Sequence, residues 1–518
     1  MEKCLVFTFV LFIQCTVLNA QDGILDNSFD SDGIVTMDIN SSNDVMKSII
    51  TQPDGKIIVA GYTSDMISDQ FCVVRFNSDG SLDNSFGLNG VVTTPFPFTS
   101  VASDMALQAN GKIIVAGHTW SGTQNNFALA RYNADGSLDV SFGNSGLIST
   151  SIISSSAIAK VLEIQNDGKI IVGGTVMDSP PDGSSLAIVR YNQNGTLDNT
   201  FGIGGVSTTD VAPGFGLTAL DIINDLIIQL DGKMVVCGNS GPDGVLLRYN
   251  TDGSLDSSFG LNGVVIENFS ASGMTVLNGV DIQQGGKIVA VGFVTGMNGF
   301  SDMIVTRYIT DGSLDTSFGS LGLLTESLSP SQDGAQDICL QQDGKILVAG
   351  NIADSIYNFG LVRYHPDGST DSTFGSNGVA KTAINAESSY LHAIAIQTDG
   401  KILATGSIGA DPTDLAIVRY SSTVLSVKNS EIEFENVMLY PNPTLGPLNI
   451  SFIPKQAGGV SLKLFDCQGR LLEEKLYRNA VEGEKKVETL RLESYSTGVY
   501  FISIISSNTQ RTFKVIKK

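Results

Sequence analysis

Histidine, cysteine and tryptophan are scarce in this chain, and basic residues are outnumbered by acidic ones. The three histidines, His118, His365 and His392, occupy unlike positions and lack metal-ligand spacing. The sequence also lacks a phosphate-binding glycine loop, a Gly-x-Ser-x-Gly elbow and a Cys-x-x-Cys pair. A net charge of −22 argues against nucleic-acid binding, which needs a basic face. We therefore predict no catalytic residue, no cofactor, no metal ion and no nucleic-acid partner.

Long hydrophobic runs are missing, apart from a short one near the N terminus. Lys3 supplies a positive start, Leu5–Ile13 an apolar run, and Leu18-Asn19-Ala20 a cleavage site before Gln21. The run is too short for a permanent membrane helix. Residues 1–20 therefore predict a signal peptide cut between Ala20 and Gln21, and no transmembrane segment is predicted elsewhere.

Four cysteines follow this segment, too few and too scattered for a disulfide framework. They are Cys72, Cys237, Cys339 and Cys467. When the repeats described next are aligned, the first three stand where other repeats have alanine. We therefore predict that they are small, buried, free thiols.

One phrase, Leu-Asp-x-Ser/Thr-Phe, recurs seven times, with Thr-Asp opening the last copy. Its aspartates, spaced 56 to 59 residues apart, are Asp26, Asp83, Asp139, Asp198, Asp256, Asp315 and Asp371. Each unit holds four short strand candidates, which in the second unit are Val91–Thr94, Ser103–Gln108, Lys112–Gly117 and Phe127–Tyr132. Asn-Gly or Asp-Gly between the second and third candidates signals a tight hairpin. No window shows sustained helical periodicity.

Four antiparallel strands form a sheet with two apolar faces, which a single unit cannot bury but seven around an axis can. A β-solenoid would use shorter coils with parallel strands, and separate sandwich domains would need longer units. We therefore predict an all-β fold: a seven-bladed β-propeller over residues 21–420.

The turn before four of the recurring aspartates follows one pattern, Arg-x-Asn-x-Asp-Gly-Ser-Leu-Asp, with isoleucine in place of asparagine in one copy. An oxygen-ligand loop for calcium is one interpretation, but arginine stands where the first ligand should be. The alternative is a structural staple, in which the arginine pairs with the Leu-Asp carboxylate. We favour the staple, for the pairs Arg75 and Asp83, Arg131 and Asp139, Arg248 and Asp256, and Arg307 and Asp315.

Units of the form Gln-x-Asp-Gly-Lys-Ile-Ile-Val-Ala-Gly, followed by Ala-Arg-Tyr-Asn-x-Asp-Gly-Ser-Leu-Asp, resemble the delta-60 repeat of bacterial proteins. The resemblance covers Leu25 to about Tyr420. It implies a β-propeller in an extracellular setting and brings no established reaction.

Loop lengths vary most between the third and fourth strand candidates, and such variation often marks a binding face. The single tryptophan, Trp120, lies in one of these segments beside His118. An exposed aromatic there could stack on a sugar, or the ring could be a partly buried anchor. The fourth unit has a longer approach to its hairpin, which contains Pro213-Gly214-Phe215.

After Tyr420 the repeat stops, and residues 421–436 form a polar linker. Residues 437–518 carry 12 Lys and Arg against 7 Asp and Glu. Short strands are predicted at Leu448–Ile453, Val460–Phe465, Leu471–Tyr477, Glu488–Leu492, Val499–Ile505 and Thr512–Ile516, as a small Ig-like sandwich.

Three motifs of this segment resemble the type A sorting domain of the type IX secretion system. They are Tyr440-Pro441-Asn442-Pro443, Asp466-x-x-Gly469-Arg470 and Gly498-x-Tyr500. The resemblance implies transport across the outer membrane by that machinery and removal of the domain by a sortase-like peptidase. The protein would then be secreted or held on the outer cell surface, having passed through the periplasm.

Two functions stay open at this point. The first is a non-enzymatic propeller that binds a glycan, polymer or protein through its variable loops. The second is an extracellular carbohydrate-active enzyme with carboxylates in the propeller funnel. Acidic residues that do not recur in every unit, gathered at one mouth of the funnel, would favour the enzyme.

Overall fold

The computed structural model describes residues 22–39, 41–64, 67–152, 155–177, 183–211, 220–270, 273–296, 299–410, 413–422, 434–442, 444–454, 458–466, 471–481, 483–505 and 510–518. The described chain is all-β, as the sequence predicts. Its contacts divide it into two compact units, with the boundary between Thr423 and Val424. Within the described residues, no helix has the length and apolar character that crossing a membrane requires.

The first unit contains seven four-stranded antiparallel sheets, which confirms the seven-bladed prediction. Blade 1 consists of β2 (Asp44–Thr51), β3 (Ile57–Ser64), β4 (Asp69–Phe76) and β5 (Val91–Thr94). Blade 2 consists of β6 (Ser100–Leu107), β7 (Ile113–Trp120), β8 (Asn125–Tyr132) and β9 (Leu147–Thr150). Blade 3 consists of β10 (Ser156–Ile164), β11 (Ile170–Met177), β12 (Ser184–Tyr191) and β13 (Val206–Thr209).

The remaining blades repeat this order. Blade 4 consists of β14 (Asp221–Ile228), β15 (Met234–Ser240), β16 (Asp243–Tyr249) and β17 (Val264–Glu267). Blade 5 consists of β18 (Thr275–Ile282), β19 (Ile288–Thr295), β20 (Ser301–Tyr308) and β21 (Leu323–Glu326). Blade 6 consists of β22 (Gln332–Leu340), β23 (Ile346–Ala353), β24 (Tyr357–Tyr364) and β25 (Val379–Thr382). Blade 7 consists of β26 (Ser389–Ile396), β27 (Ile402–Ile408), β28 (Asp414–Tyr420) and β1 (Ile34–Met37).

Blade and sequence repeat are offset by one strand. The strand Val91–Thr94, grouped in sequence with the three strands that follow it, pairs instead with β4 as the outer strand of blade 1. The grouping predicted from sequence is therefore wrong by one strand. The reason is that the tight Asp-Gly-Ser-Leu-Asp turn returns the chain alongside the strand it has just left. Strand β5 therefore pairs with the preceding strand, β4, and not with a strand that follows it.

This offset leaves the seventh blade to be completed by the N-terminal residues. Strand β1 pairs antiparallel with β28, with Val35 opposite Ile417. The preceding turn supplies Asp26 to Arg419, and Phe29 lies under the same guanidinium. The two ends of the repeat array are thus joined by a shared sheet, which closes the ring.

Apolar side chains fill each seam between neighbouring blades. One cluster, for example, joins Ile58 and Val73 of blade 1 to Met105 and Val115 of blade 2. The seam between blades 7 and 1 is built in the same way, with Ile417 packed near Met46. Burying apolar area at all seven seams is what stabilises sheets that could not fold separately.

Each blade also carries a buried arginine–aspartate pair at the end of its third strand. Arg131 Nε lies 2.7 Å from Asp139 Oδ2, and Lys112 Nζ lies 2.6 Å from the same oxygen. The Arg131 guanidinium stacks over Phe142, 4.3 Å from the ring centroid. Its Nη1 donates to the carbonyl of Gln193, in the corresponding turn of blade 3. The pair therefore fixes its own turn and also bonds one blade to the next.

The same contact joins the other six pairs. They are Arg75 and Asp83, Arg190 and Asp198, Arg248 and Asp256, Arg307 and Asp315, Arg363 and Asp371, and Arg419 and Asp26. In blade 6 the next turn comes from the N-terminal segment, so Arg363 Nη1 contacts Asp22 Oδ2 at 2.7 Å instead of a carbonyl.

The second unit is a two-sheet sandwich. One sheet contains β29 (Phe434–Tyr440), β30 (Pro447–Pro454) and β33 (Lys486–Arg491). The other contains β31 (Gly458–Asp466), β32 (Leu471–Ala480), β34 (Gly498–Ile505) and β35 (Gln510–Lys517). Ile450 and Phe452 of the first sheet share a core with Leu462 and Ile502 of the second. The predicted linker ends too late, because β29 already begins at Phe434 and pairs with Pro454.

Candidate functional site

A central channel runs between the first strands of the blades and encloses a cavity of about 650 Å³. Every one of these strands contains a β-bulge, and the extra residue lines the channel in all seven blades. We call these residues the bulge ring: Lys47, Ser103, Lys160, Asn224, Asn278, Gln336 and His392. All seven are polar, but they comprise two lysines, a histidine, a serine and three side-chain amides. The channel therefore departs from the sevenfold symmetry of the fold.

Carboxyl groups follow the bulge ring by one residue in alternate blades: Asp104, Asp225 and Asp337. Asp104 Oδ2 accepts the Leu162 amide of the next blade at 2.7 Å, and its Oδ1 accepts the Met105 amide. Asp225 and Asp337 repeat this arrangement toward Val280 and Ile394. Desolvation by burial raises the pKa of Asp104 to about 6 and that of Asp337 to about 7. These groups hold neighbouring first strands together.

Two further acidic residues lie deeper along the channel, on blades 3 and 5. Asp281 accepts the Leu340 amide of blade 6 at 3.0 Å, and so repeats the bonding role. Glu163 differs: burial and the nearby Asp104 raise its pKa to about 7, and it makes no hydrogen bond to another blade among the described residues. Among the described acidic residues of the channel, Glu163 thus has the fewest hydrogen bonds that hold the fold together.

Basic side chains line the channel on blades 7, 1, 2 and 3. Lys47 Nζ lies 3.2 Å from His392 Nε2. Burial lowers the pKa of His392 to about 3 and that of His118 to about 4, so both imidazoles are neutral at physiological pH. Burial, with a contribution from the Lys160 charge, lowers the pKa of Lys47 to about 8. We call Lys47, His118, Lys160 and His392 the basic quadrant.

The basic quadrant faces the mouth that the variable loops surround. Strand β2 starts at the end of its blade where β3 stops, so its first residues and the β3–β4 loop share one face. Lys47 is the fourth residue of β2, which places it about 10 Å below that rim.

The sequence predicted a funnel along the propeller axis, but not which residues line it. The histidines seemed unrelated because they belong to different repeats and different strands, yet His118 and His392 line one cavity. The available signal was the bulge position itself, because each of the seven first strands carries a polar residue there. His365 lies elsewhere, in the turn that follows β24.

The prediction that His118 and Trp120 occupy a loop is wrong. Both belong to β7, which extends through Trp120 because that residue pairs with Asn125. The loop is therefore confined to residues 121–124. Trp120 is 38% exposed and does not line the channel. The long approach containing Pro213-Gly214-Phe215 lies outside the described residues.

Oxygen atoms of the staple turn are already engaged, which argues against the calcium interpretation. Asp79 accepts from the Ser81 amide and hydroxyl, and Asp83 accepts from Arg75 and Lys56. In the described part of the chain, one group of three carboxylates could hold a metal ion: Asp38, Asp44 and Asp414. Asp44 of that group already accepts from the Ile39 amide and the Thr63 hydroxyl.

The thiols follow the sequence expectation in part. Cys72 and Cys237 are buried and free, at positions filled by alanine in other blades. Cys339 is free but only partly buried, so the prediction of full burial is wrong there. Its counterpart Ala106 lines the channel, which explains the exposure. Cys467 and the cleavage site at Ala20 and Gln21 lie outside the described residues.

The sorting motifs of the second unit gather around the last strand. Asn442 Oδ1 accepts the Ile516 amide at 2.9 Å. Gly498 pairs with Lys517, and Tyr500 lies between Val515 and Asp466. The Tyr500 hydroxyl donates to the Ser496 carbonyl at 2.7 Å. Tyr440 and Pro441 precede Asn442 at the end of β29, whereas Pro443, Gly469 and Arg470 lie outside the described residues.

Solved structures give only distant likenesses to the chain. A virginiamycin B lyase from Staphylococcus aureus is 9% identical, with a TM-score of 0.39, over 74% of this chain and 98% of the other. An ulvan lyase is 11% identical, with a TM-score of 0.43, over 75% of this chain and 98% of the lyase. Sqt1 from Chaetomium thermophilum is 12% identical, with a TM-score of 0.40, over 74% of this chain and 97% of Sqt1. No curated protein matches the chain.

Family comparison identifies both units. The description "Domain of unknown function (DUF5122) beta-propeller" matches residues 52–86, 108–142, 165–201, 229–259, 283–318, 341–374 and 397–423. The description "Secretion system C-terminal sorting domain" matches residues 438–518. The seven propeller matches fall one per sequence repeat, and the sorting-domain match covers the sandwich. The chain is therefore a seven-repeat β-propeller of this family with a C-terminal sorting domain, exported to the outer cell surface or secreted through the type IX system.

Proposed function

We propose that the exported propeller is a binding protein, not an enzyme, and that its ligand enters the central channel from the mouth surrounded by the variable loops. The observation that carries this proposal is the bulge ring, whose side chains differ from blade to blade in an otherwise repetitive fold. Pockets of several hundred Å³ with a few polar groups are typical of ligand sites. A glycan or polymer on the cell surface or in the medium suits the exported location.

Most channel carboxyls have a structural explanation, which favours binding over catalysis. Asp104, Asp225 and Asp337 each accept a backbone amide of the next blade. A general acid or nucleophile must instead be able to reach a substrate and exchange a proton with it.

Glu163 supports the second candidate, a carbohydrate-active enzyme. Its carboxyl lines the channel, and a pKa raised by burial to about 7 suits a general acid. If the protein is such an enzyme, Glu163→Gln should abolish product release while leaving binding intact.

One experiment separates the candidates. The mature chain is applied to an array of extracellular polysaccharides, and both retention and released oligosaccharides are measured. Retention without product is the expected result. Product that disappears in Glu163→Gln would replace the binding proposal by the enzyme, and retention of no polymer would contradict both.

A further inference from the structure

Two lysines of the propeller lack the carboxylate partner that its arginines and its other lysines have. All seven arginines pair with aspartates of the staples. Eight of the ten lysines in residues 22–422 also contact a carboxylate. Within the described chain, Lys47 and Lys160 form no such pair, although the sequence contains 53 acidic residues. Both belong to the bulge ring and face the channel.

These two lysines are close enough to repel each other. The Lys160 charge contributes to lowering the pKa of Lys47, and burial lowers the pKa of Lys160 itself. Bringing two ammonium groups together in a partly desolvated channel costs free energy unless an opposite charge joins them. Among the described residues no carboxyl of the channel lies within ion-pair distance of either lysine, and Asp104 bonds to backbone amides and Ser48 instead.

A histidine beside each lysine adds a hydrogen-bonding group to this side of the channel. His118 lies near Lys160, and its buried Nδ1 has no hydrogen-bond partner. His392 contacts Lys47 through Nε2, which orients the ammonium group within the channel. These four side chains, from four consecutive blades, thus line one side of the cavity, and the Nδ1 atom of His118 is available to a ligand.

We propose that the basic quadrant binds an oxyanion group, a carboxylate or a sulfate or phosphate ester, carried by an extracellular polysaccharide. The inference rests on the proposed binding function and specifies the ligand class. Lys47 and Lys160 supply the opposite charge, and His118 contributes a neutral imidazole. Across the channel, the uncharged side chain of Gln336 faces the part of a sugar that carries no charge, whereas Asn224 and Asn278 donate to the Leu277 and Ala335 carbonyls of the next blades.

The depth of the site selects a polysaccharide over other polyanions. Lys47 lies about 10 Å below the rim, where the flat surface of a folded protein cannot reach. Two lysines match one acidic substituent, whereas a nucleic acid presents a dense row of phosphates to a protein of net charge −22.

The test uses matched oligosaccharides that differ in charge. Titration calorimetry compares the mature chain with homogalacturonan hexamers and with the same hexamers methyl-esterified. A sulfated galactan hexamer and its unsulfated counterpart form a second pair, and inorganic sulfate and phosphate form a third arm. At least one acidic oligomer should bind at least about tenfold more tightly than its neutral counterpart, the effect of losing one charged hydrogen bond.

Variants locate the interaction within the channel. Lys47→Gln/Lys160→Gln should weaken binding of the acidic oligomer by at least about tenfold. As a control, Lys381→Gln on β25 removes a lysine charge from an exposed ion pair with Asp354, and it should leave binding unchanged. Because the double variant could also alter folding, NMR of ¹³C-methylated lysines in the wild-type chain gives a second readout: the signals of Lys47 and Lys160 should shift on titration.

Each contrary outcome has a distinct meaning. Equal binding of neutral and acidic oligomers would overturn the oxyanion assignment and leave the binding function standing. If inorganic sulfate or phosphate binds as tightly as every oligomer, the assignment of a polysaccharide as the ligand would be overturned. Binding of no oligomer, charged or neutral, would contradict the binding function as well.

Discussion

At the scale of single residues, the pKa values of carboxyl groups are shifted in opposite directions in the staples and in the channel. Burial alone would raise the pKa of Asp139, but hydrogen bonds from Lys112 and Ser141 and the Arg131 charge outweigh it and hold that pKa well below its usual range. In the channel, burial dominates and raises the pKa of Glu163 to about 7. The staple pairs therefore favour the folded state above pH 3.8, and the channel carboxyls favour it at lower pH.

Arg131→Ala tests the staple. The change leaves the buried Asp139 with the more exposed Lys112 alone and breaks the bond to Gln193 of blade 3. We expect the free energy of unfolding to fall by about 3 kcal/mol, as for other buried pairs that lose one partner. Chemical denaturation measures this loss, with Lys112→Ala as a milder control. A melting temperature within about one degree of wild type would contradict the structural role.

Glu163→Gln tests the channel carboxyls through pH. Because the folded-state pKa of Glu163 is raised from 4.5 to about 7, its contribution to stability is complete below pH 4.5 and is lost as the pH rises through about 7. The wild-type chain should therefore lose more stability between pH 5 and pH 8 than Glu163→Gln. Denaturation curves at both pH values measure the difference. Glu387→Gln, on the exposed surface, should behave as wild type; equal slopes in all three proteins would refute the argument.

At the scale of elements, local patterns in the sequence predicted the strands better than their partners. The hairpins of β6, β7 and β8 follow from short alternating segments and Asn-Gly or Asp-Gly turns. The partner of Val91–Thr94 could not be deduced in the same way, because the preceding and following segments are equally good candidates by pattern. The closing role of Ile34–Met37 depends on a partner about 380 residues away, which no local signal reveals.

The residues that line the channel could not be predicted for a related reason. Each bulge places one polar side chain toward the axis, and a bulge depends on the register of two strands, not on the type of residue alone. Lys47 and His392 meet only because blades 1 and 7 are neighbours in the closed ring. Six of the seven staples, in contrast, join residues eight positions apart, so this kind of pair was accessible to sequence reasoning.

Strand β1 offers a matched pair of substitutions. Val35 is buried in the seam with Ile417 and Met46, whereas Thr36 is exposed on the other face of the same strand. Val35→Asp should place an unpaired charge in this core and markedly lower the melting temperature, while Thr36→Asp should have little effect. Limited proteolysis after residue 37 should increase in Val35→Asp alone. Equal behaviour of both variants would show that β1 does not secure the ring.

At the scale of the whole molecule, the two units have separate tasks. The propeller supplies the channel, and the sandwich matches a family that directs export. The order of the sorting motifs and the number of repeats were both accessible in the sequence, since each is a linear pattern.

Truncation tests this division. A chain ending at Tyr420 keeps all seven blades but lacks the sorting domain, so we expect it to stay in the periplasm. Fractionation and protease treatment of intact cells measure its location, with the full chain as the control. Wild-type levels of the truncated protein on the cell surface would refute the assignment of the export signal.

The shared sheet of blade 7 has a mechanical consequence. The chain leaves the propeller from the end of β28, which is bonded to β27 on one side and to β1 on the other. If the protein is tethered through its C-terminal side, any pulling force enters the ring at a strand with two neighbours instead of a free edge. Drag on the protein would then have to shear two ladders of hydrogen bonds at once before the first blade could come apart.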